Sequence, residues 1–236
     1  MHKIAGWIKN KVTEAGANGC VFGLSGGIDS AVVGALCKQA FPQAVLGLTL
    51  PCHSLSVDIQ LALDFAKKFD IPVRNLDLSP TFENLFQALE AGKAYNGEKD
   101  LAVVNLKPRL RMISLYYYAA KMNYLVVGTG NKSELEMGYF TKYGDGGVDL
   151  LPLGNLLKSG VRKLAVELKI PQAIIDKPPS AGLWEGQTDE GEMGITYAEL
   201  DNILTGRLDG IAKDKIALVK KRQAASQHKR ALPEIY

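Results

Sequence analysis

Gly23-Leu24-Ser25-Gly26-Gly27-Ile28-Asp29-Ser30 is the stretch on which the fold turns. Residues 21–24 are a short apolar run, the pattern of a buried strand, and they lead into adjacent glycines. Behind the glycines, residues 31–40 are apolar at helical spacing. A strand that enters a helix through a glycine-rich turn opens a βαβ unit. The alternation repeats outward from there. Residues 44–50 predict a second strand, closed by Pro51. Ser56 predicts an N-cap, with Val57, Leu61 and Phe65 on one face of the helix behind it. Residues 73–78 predict a third strand. Pro108 suits the first turn of a helix running to about Met122, and residues 124–129 predict a fourth strand. Ser159 starts another helix that ends before Ile170-Pro171, and Thr196 with Glu199 forms a capping box. The predicted class is α/β, a doubly wound, mostly parallel sheet with helices on both faces, in a single domain over residues 1–236. Residues 79–106, 138–157 and 177–194 break the alternation. The first predicts inserted helices, and the others predict long loops.

The glycine-rich turn carries chemistry as well as topology. Adjacent glycines let the backbone take positive φ and approach an anion closely. The N–H groups of the loop and of the following helix start then point at that anion, and Ser25 and Ser30 add hydroxyl donors. Asp29 is the odd member, because an acid beside a polyphosphate repels it. A divalent cation such as Mg²⁺, held by carboxylates and phosphate oxygens together, resolves the conflict. The loop lacks the Gly-Lys-Ser/Thr ending of a Walker A motif and the spacing of G-x-G-x-x-G. By itself it is also compatible with an ordinary glycine turn and a Ser/Asp helix cap.

Composition narrows the classes. A chain of 236 residues with 47% apolar content is long and apolar enough to bury a core, which disfavours disorder. A net charge of +3 suits anionic small molecules and is too small to argue for nucleic acid. Cys20, Cys37 and Cys52 form no C-x-x-C pair, so reduced thiols are expected rather than a zinc site or disulfides. The N-terminus has no signal-peptide core and no apolar run spans a bilayer, so a cytoplasmic protein is expected, with neither nucleic acid nor membrane as partner.

The Ser-Gly-Gly-x-Asp-Ser pattern of residues 25–30 matches the PP-loop of the ATP pyrophosphatases. That resemblance implies cleavage between the α and β phosphates of ATP and transfer of AMP to a substrate oxygen. The middle of the chain is more specific. Gly128-Thr129-Gly130-Asn131-Lys132-Ser133-Glu134 precedes Gly138-Tyr139-Phe140-Thr141-Lys142-Tyr143-Gly144-Asp145-Gly146-Gly147-Val148-Asp149, then Leu151-Pro152-Leu153-Gly154 and Lys158. With Asn105-Leu106-Lys107-Pro108-Arg109-Leu110-Arg111-Met112, Leu183-Trp184-Glu185-Gly186-Gln187-Thr188-Asp189-Glu190 and His228-Lys229-Arg230, these closely resemble NAD synthetase in its short, ammonia-dependent form. The resemblance covers nearly the whole chain and implies an adenine nucleotide alpha hydrolase-like fold. It implies that ATP adenylates the nicotinate carboxylate of deamido-NAD, and that ammonia then displaces AMP to give NAD.

Roles follow from the matching positions. Gly23, Leu24, Ser25, Gly26, Gly27, Ile28, Asp29 and Ser30 would hold ATP phosphates, and Thr129, Lys158 and Ser180 resemble further ATP contacts. Asp29 and Glu134 would bind Mg²⁺, and with Lys158 they form the catalytic set. Arg109, Lys142, Asp149, His228 and Lys229 resemble the deamido-NAD contacts; basic side chains suit a pyrophosphate. Read singly, Arg109 and Lys142 also fit solvated surface charges, Glu134 and Asp149 fit capping partners, and His228 fits a solvated basic tail. Pro108 and Ser180 replace the small residue and threonine frequent in the family. No amidase region with a nucleophilic cysteine is present, so free ammonia is the expected nitrogen source. An RNA-modifying adenylation would share the loop, but it would need a basic groove or an added RNA domain, and the small net charge and lack of extra domains speak against it; a non-catalytic ATP module has no reason to carry Asp29, Glu134 and Lys158 together. The resemblance also implies a homodimer, with the helix around Tyr116-Tyr117-Tyr118 as a candidate interface. Residues 138–149 and 177–194 are expected to close over substrates.

Overall fold

The computed structural model describes residues 2–184 and 186–236, His2 by its backbone alone. Met1 and Glu185, the latter part of the 183–190 motif, lie outside the described residues. Four parallel strands form the sheet in the order β3-β2-β1-β4: β1 (Gly19–Gly23), β2 (Val45–Thr49), β3 (Val73–Asn75) and β4 (Tyr124–Val126). The register pairs Cys20 with Val45, Gly19 with Tyr124 and Gly47 with Val73. The chain winds outward from β1 through β2 to β3, then crosses back to lay β4 on the other side of β1. That reversal makes a switch point between β1 and β4, where the connections diverge and leave a crevice beyond the strand ends.

Alternation along β1 sorts the two cores. Cys20 and Phe22 face α1 (His2–Glu14), α2 (Ile28–Ala40) and α3 (Ser56–Lys68), together with α8 (Lys158–Glu167). Val21 faces the opposite cluster, built on α4 (Ser79–Leu89) and α6 (Leu106–Met122). Both strand faces are covered, which is why β1 and β2 read as continuous apolar runs. α2 is buried on nearly every side, from Ile28 to Ala40. Its Gly34 allows that depth: a Cβ there would lie 2.7 Å from the Phe22 ring and 3.0 Å from Phe65.

A third, smaller cluster joins α7 (Lys132–Met137), α10 (Asp189–Met193), α11 (Tyr197–Leu204) and α12 (Lys213–Ala225) through Met137, Met193, Ile195, Tyr197, Leu200 and Val219. Between these elements run α5 (Leu101–Val104) and α9 (Gln172–Ile175), and a 3₁₀ turn over Gln227–Lys229 follows α12. Among the described residues no helix is long and apolar enough to cross a membrane.

Several boundaries differ from the sequence expectation for physical reasons. β3 stops at Asn75 because Asp77 accepts bonds from the Ser79 amide and hydroxyl and turns the chain into α4. Ser56 is the first helical residue, and the N-cap is Leu55 without a side-chain cap. Val57 is exposed, and the buried stripe of α3 is Ala62, Phe65 and Ala66. Beyond β4 the edge continues through a parallel bridge between Val127 and Leu150, so the 138–157 stretch adds to the sheet. The capping box at Thr196 and Glu199 is present.

Gly34→Ala should lower stability by about 1–3 kcal/mol through overpacking, and so lower Tm by several degrees. Adding Phe22→Leu should recover part of the loss. An unchanged thermal melting curve for Gly34→Ala would contradict this packing.

Candidate active site

A cavity of about 830 Å³ opens beyond the carboxyl ends of β1, β2 and β4, at the switch point. It is within the size range of ligand sites. Gly23 and Leu24 line it from β1, Thr49 and Leu50 from β2, and Gly128 and Thr129 from the chain after β4. Its rim comes from residues 138–145 and 177–183, the two long loops.

The phosphate loop is preformed. Gly26 takes φ +74°, and a Cβ there would lie 2.3 Å from the Asp58 carbonyl oxygen, so this position requires glycine. Ser30 Oγ accepts from the Ser25 amide at 3.2 Å and donates to the Gly27 carbonyl at 2.9 Å. The Gly27 amide donates to Ser25 Oγ at 3.3 Å. Gly27 caps α2 without a side-chain bond, which leaves the helix start free to take an anion.

At the first turn of α2, Asp29 meets Lys158 from the first turn of α8. Lys158 Nζ donates to Asp29 Oδ2 at 2.5 Å and to Glu134 Oε1 at 3.0 Å. The lysine is only 2% exposed. Two acids around one ammonium leave the trio with excess negative charge. Burial opposes the Lys158 ammonium, but Asp29 and Glu134 outweigh it and hold its pKa above the ordinary value. The surplus falls on Glu134, whose pKa is pushed up to about 7 by burial and by the Asp29 charge, against the pull of Lys158. Hard carboxylate oxygens carrying surplus negative charge are a donor set that fits Mg²⁺, with phosphate oxygens completing its shell.

Residues that the sequence did not single out fix this geometry. Asn131 is fully buried; its Nδ2 donates to Asp29 Oδ1 at 2.9 Å, and its side chain caps α7 in a reciprocal box with Glu134. Asp201 on α11 accepts from Ser133 Oγ at 2.6 Å and from the Ser159 amide at 2.9 Å, and Ser133 Oγ accepts from the Lys158 amide at 3.0 Å. Asp201 therefore ties the starts of α7 and α8, which carry Glu134 and Lys158. The Tyr197 ring centroid lies 4.8 Å from Lys158 Nζ. The Asn131-x-x-Glu134 spacing was a legible capping signal; Asp201 and Tyr197 had none.

The remaining predicted residues divide. Thr129, Ser180, Arg109, Lys142, His228 and Lys229 line the cavity. Arg109 and His228 are exposed there. Lys142 donates to the His228 carbonyl at 2.7 Å, and Lys229 donates to the carbonyls of Gly138 and Phe140, both at 2.8 Å. The C-terminal tail thus docks on the 138–145 loop. Asp149 is exposed and stands outside the cavity lining, accepting from the Val126 amide at 2.7 Å and Tyr116 hydroxyl at 3.0 Å. The expected 177–194 loop ends in the short helix α10, and its 177–183 segment is tethered through Lys107. This ammonium is 2% exposed, lies 5.6 Å from the Phe82 ring centroid and 5.8 Å from that of Tyr95, and donates to the Leu183 carbonyl at 2.7 Å.

Linkage gives a sign for Glu134. Its pKa is raised on folding, so its contribution is fully present below the unfolded value and is lost as pH rises through about 7. Glu134→Gln mimics the protonated form. The Tm of the ligand-free variant relative to wild type should therefore be highest at pH 8 and fall as pH drops to 6. A difference that grows on acidification would contradict the assignment.

The chain matches the NAD synthase family over residues 1–233. It is 50% identical, across 99% of its length and 95% of the relative's, to the NH(3)-dependent NAD(+) synthetase of Carboxydothermus hydrogenoformans. The solved NMN synthetase of Francisella tularensis superposes with a TM-score of 0.92 at 38% identity, covering 100% of this chain and 96% of that one. The NH3-dependent NAD synthetase of Campylobacter jejuni superposes at 0.81 with 30% identity, over 100% and 96% of the two chains. With its phosphate loop, buried Asp29–Lys158–Glu134 trio and full-length match, the chain belongs to the NAD synthase family.

Proposed function

We propose that the protein amidates deamido-NAD with ammonia, consuming ATP and releasing AMP and pyrophosphate through an adenylated nicotinate carboxylate. The observation that carries this is Lys158 between Asp29 and Glu134 beside an open phosphate loop. A carboxylate is a poor electrophile, and adenylation gives it a good leaving group. The protein's task is then to position groups and stabilise charge. The loop amides and the start of α2 hold the β and γ phosphates. Lys158 turns from its acids toward the phosphates as charge moves onto the leaving pyrophosphate. Mg²⁺, held by Asp29 and Glu134, would offset the phosphate charge when bound. Thr129 and Ser180 bound the nucleotide on either side.

Arg109, Lys142, His228 and Lys229 are the proposed dinucleotide contacts. Lys229 spends two donors on loop carbonyls and keeps a third for a phosphate oxygen. Asp149 lies at the surface beside α6, so its contact with the dinucleotide would be made at the protein's edge. We read the assembly as a homodimer through α6, where Ile113 and Tyr117 are exposed one turn apart. A second reading, synthesis of NMN, draws support from the Francisella tularensis likeness.

Purified protein with ATP, Mg²⁺, ammonium and deamido-NAD should yield NAD, AMP and pyrophosphate. Formation of ADP would contradict the mechanism. Faster turnover of nicotinate mononucleotide would favour the second reading. Lys158→Met should lower kcat by about 10²-fold or more. Tyr117→Asp should shift the light-scattering mass from dimer toward monomer.

A further inference from the structure

Lys107, the second residue of α6, does not line the cavity, whereas Pro108 and Arg109 beside it do. Its buried ammonium lies against the rings of Phe82 and Tyr95 and donates to the Leu183 carbonyl. A buried ammonium stripped of its oxygen acceptor is strongly disfavoured. Breaking the Leu183 contact therefore costs more than breaking a hydrogen bond at the surface.

Leu183 ends the 177–183 segment of the cavity rim. At the other end Lys177 pairs with Asp58, in the first turn of α3. Asp58 lies against the phosphate loop, since its carbonyl oxygen is the atom that excludes a side chain at Gly26. The segment is thus fastened at one end to the wall of the phosphate loop and at the other to α6. Ser180 stands midway, lines the cavity, and accepts from the Gly182 amide at 3.1 Å.

The Leu183 contact continues across the rim. The Leu183 amide donates to Gln187 Oε1 at 2.7 Å, and Gln187 Nε2 donates to Glu192 Oε2 at 2.6 Å. That oxygen also accepts from the Tyr139 hydroxyl at 2.5 Å, on the facing 138–145 loop. Asn105, two residues before Lys107, accepts from Thr141 Oγ1 of the same loop at 2.7 Å. The start of α6 therefore anchors both rims, one through Asn105 and the other through Lys107.

We propose that Lys107 is a positioning residue for the ATP site, which without touching ligand fastens Leu183 so that Ser180 is held toward the nucleotide. This deepens the reading above and rests on the proposed contact of Ser180 with ATP. Without the Lys107 bond the segment is held at Lys177 alone, and Ser180 is in place for a smaller fraction of the time. ATP must then select that fraction, which weakens its apparent affinity in proportion. Saturating ATP restores the arrangement, so turnover is kept.

Lys107→Met keeps the apolar stem against the two rings and removes the donor. Its KM for ATP should rise about tenfold or more, as loss of a hydrogen bond from a charged group implies. Its kcat at saturating ATP should stay within about twofold of wild type, the pattern of lost uniform binding. An unchanged KM for ATP would overturn the proposal. So would a fall in kcat alone, the mark of a residue that only supports the fold. A second arm uses wild-type protein and is independent of how the variant folds. A crystal structure with nucleotide bound should keep Lys107 Nζ within hydrogen-bond distance of the Leu183 carbonyl, and a Lys107 parted from Leu183 there would overturn the proposal. Failure of the ATP reading itself would show separately, as wild-type protein without measurable affinity for ATP.

Discussion

A buried ammonium shared by two carboxylates, Lys158 between Asp29 and Glu134, is the interaction on which the rest of the structure depends. Each partner comes from the start of a different helix, so the contact fixes how α2, α7 and α8 meet at the end of the sheet. Removing Lys158 would leave two desolvated carboxylates facing each other, which costs more than the pair gains. The surrounding polar network follows from that constraint. Asn131 satisfies the second oxygen of Asp29, and Asp201 holds the two helix starts in register. The satellite cluster of α7, α10, α11 and α12 supplies the apolar support for these bonds.

The same trio connects structure to chemistry. Burial and the Asp29 charge push the Glu134 pKa up to about 7, so a proton as well as a cation can join the trio. In the proposed reaction, polyphosphate arriving at the preformed loop would draw the ammonium to itself and free the acids for a metal. A rigid loop built on Gly26 and a lysine with two alternative partners make a site that is organised before substrate arrives and responsive when it does.

The legible part of the fold was the part written contiguously. β1, the glycine turn and α2 follow one another, so strand, loop and helix could be read from residues 19–40. The length of β3 was not legible, because the Asp77–Ser79 turn competes with the strand only once both are placed. In α3 the Val57–Leu61–Phe65 line was a fair helical face, but the sheet selected the neighbouring stripe through Ala62 and Ala66. The helices α7 and α10 are too short for periodicity to report, and their capping residues were the main local signal. In the site, residue types pointed to Asp29, Glu134 and Lys158 through the family resemblance. Asp29 and Lys158 lie 129 positions apart, so no local spacing could reveal their contact. Asp201 was invisible for the same reason: it acts through partners that only the tertiary fold brings near. Asp149 shows the converse. Its motif suggested a ligand contact, while its carboxylate is bonded to Tyr116 and to the Val126 amide at the sheet edge.

The most direct test is a crystal structure with Mg²⁺ and an ATP analogue that resists cleavage between the α and β phosphates. Lys158 Nζ should contact phosphate oxygen, while Asp29 and Glu134 should turn their freed oxygens to the metal. Bound nucleotide with Lys158 still bridging both carboxylates, and no metal on either, would contradict this arrangement.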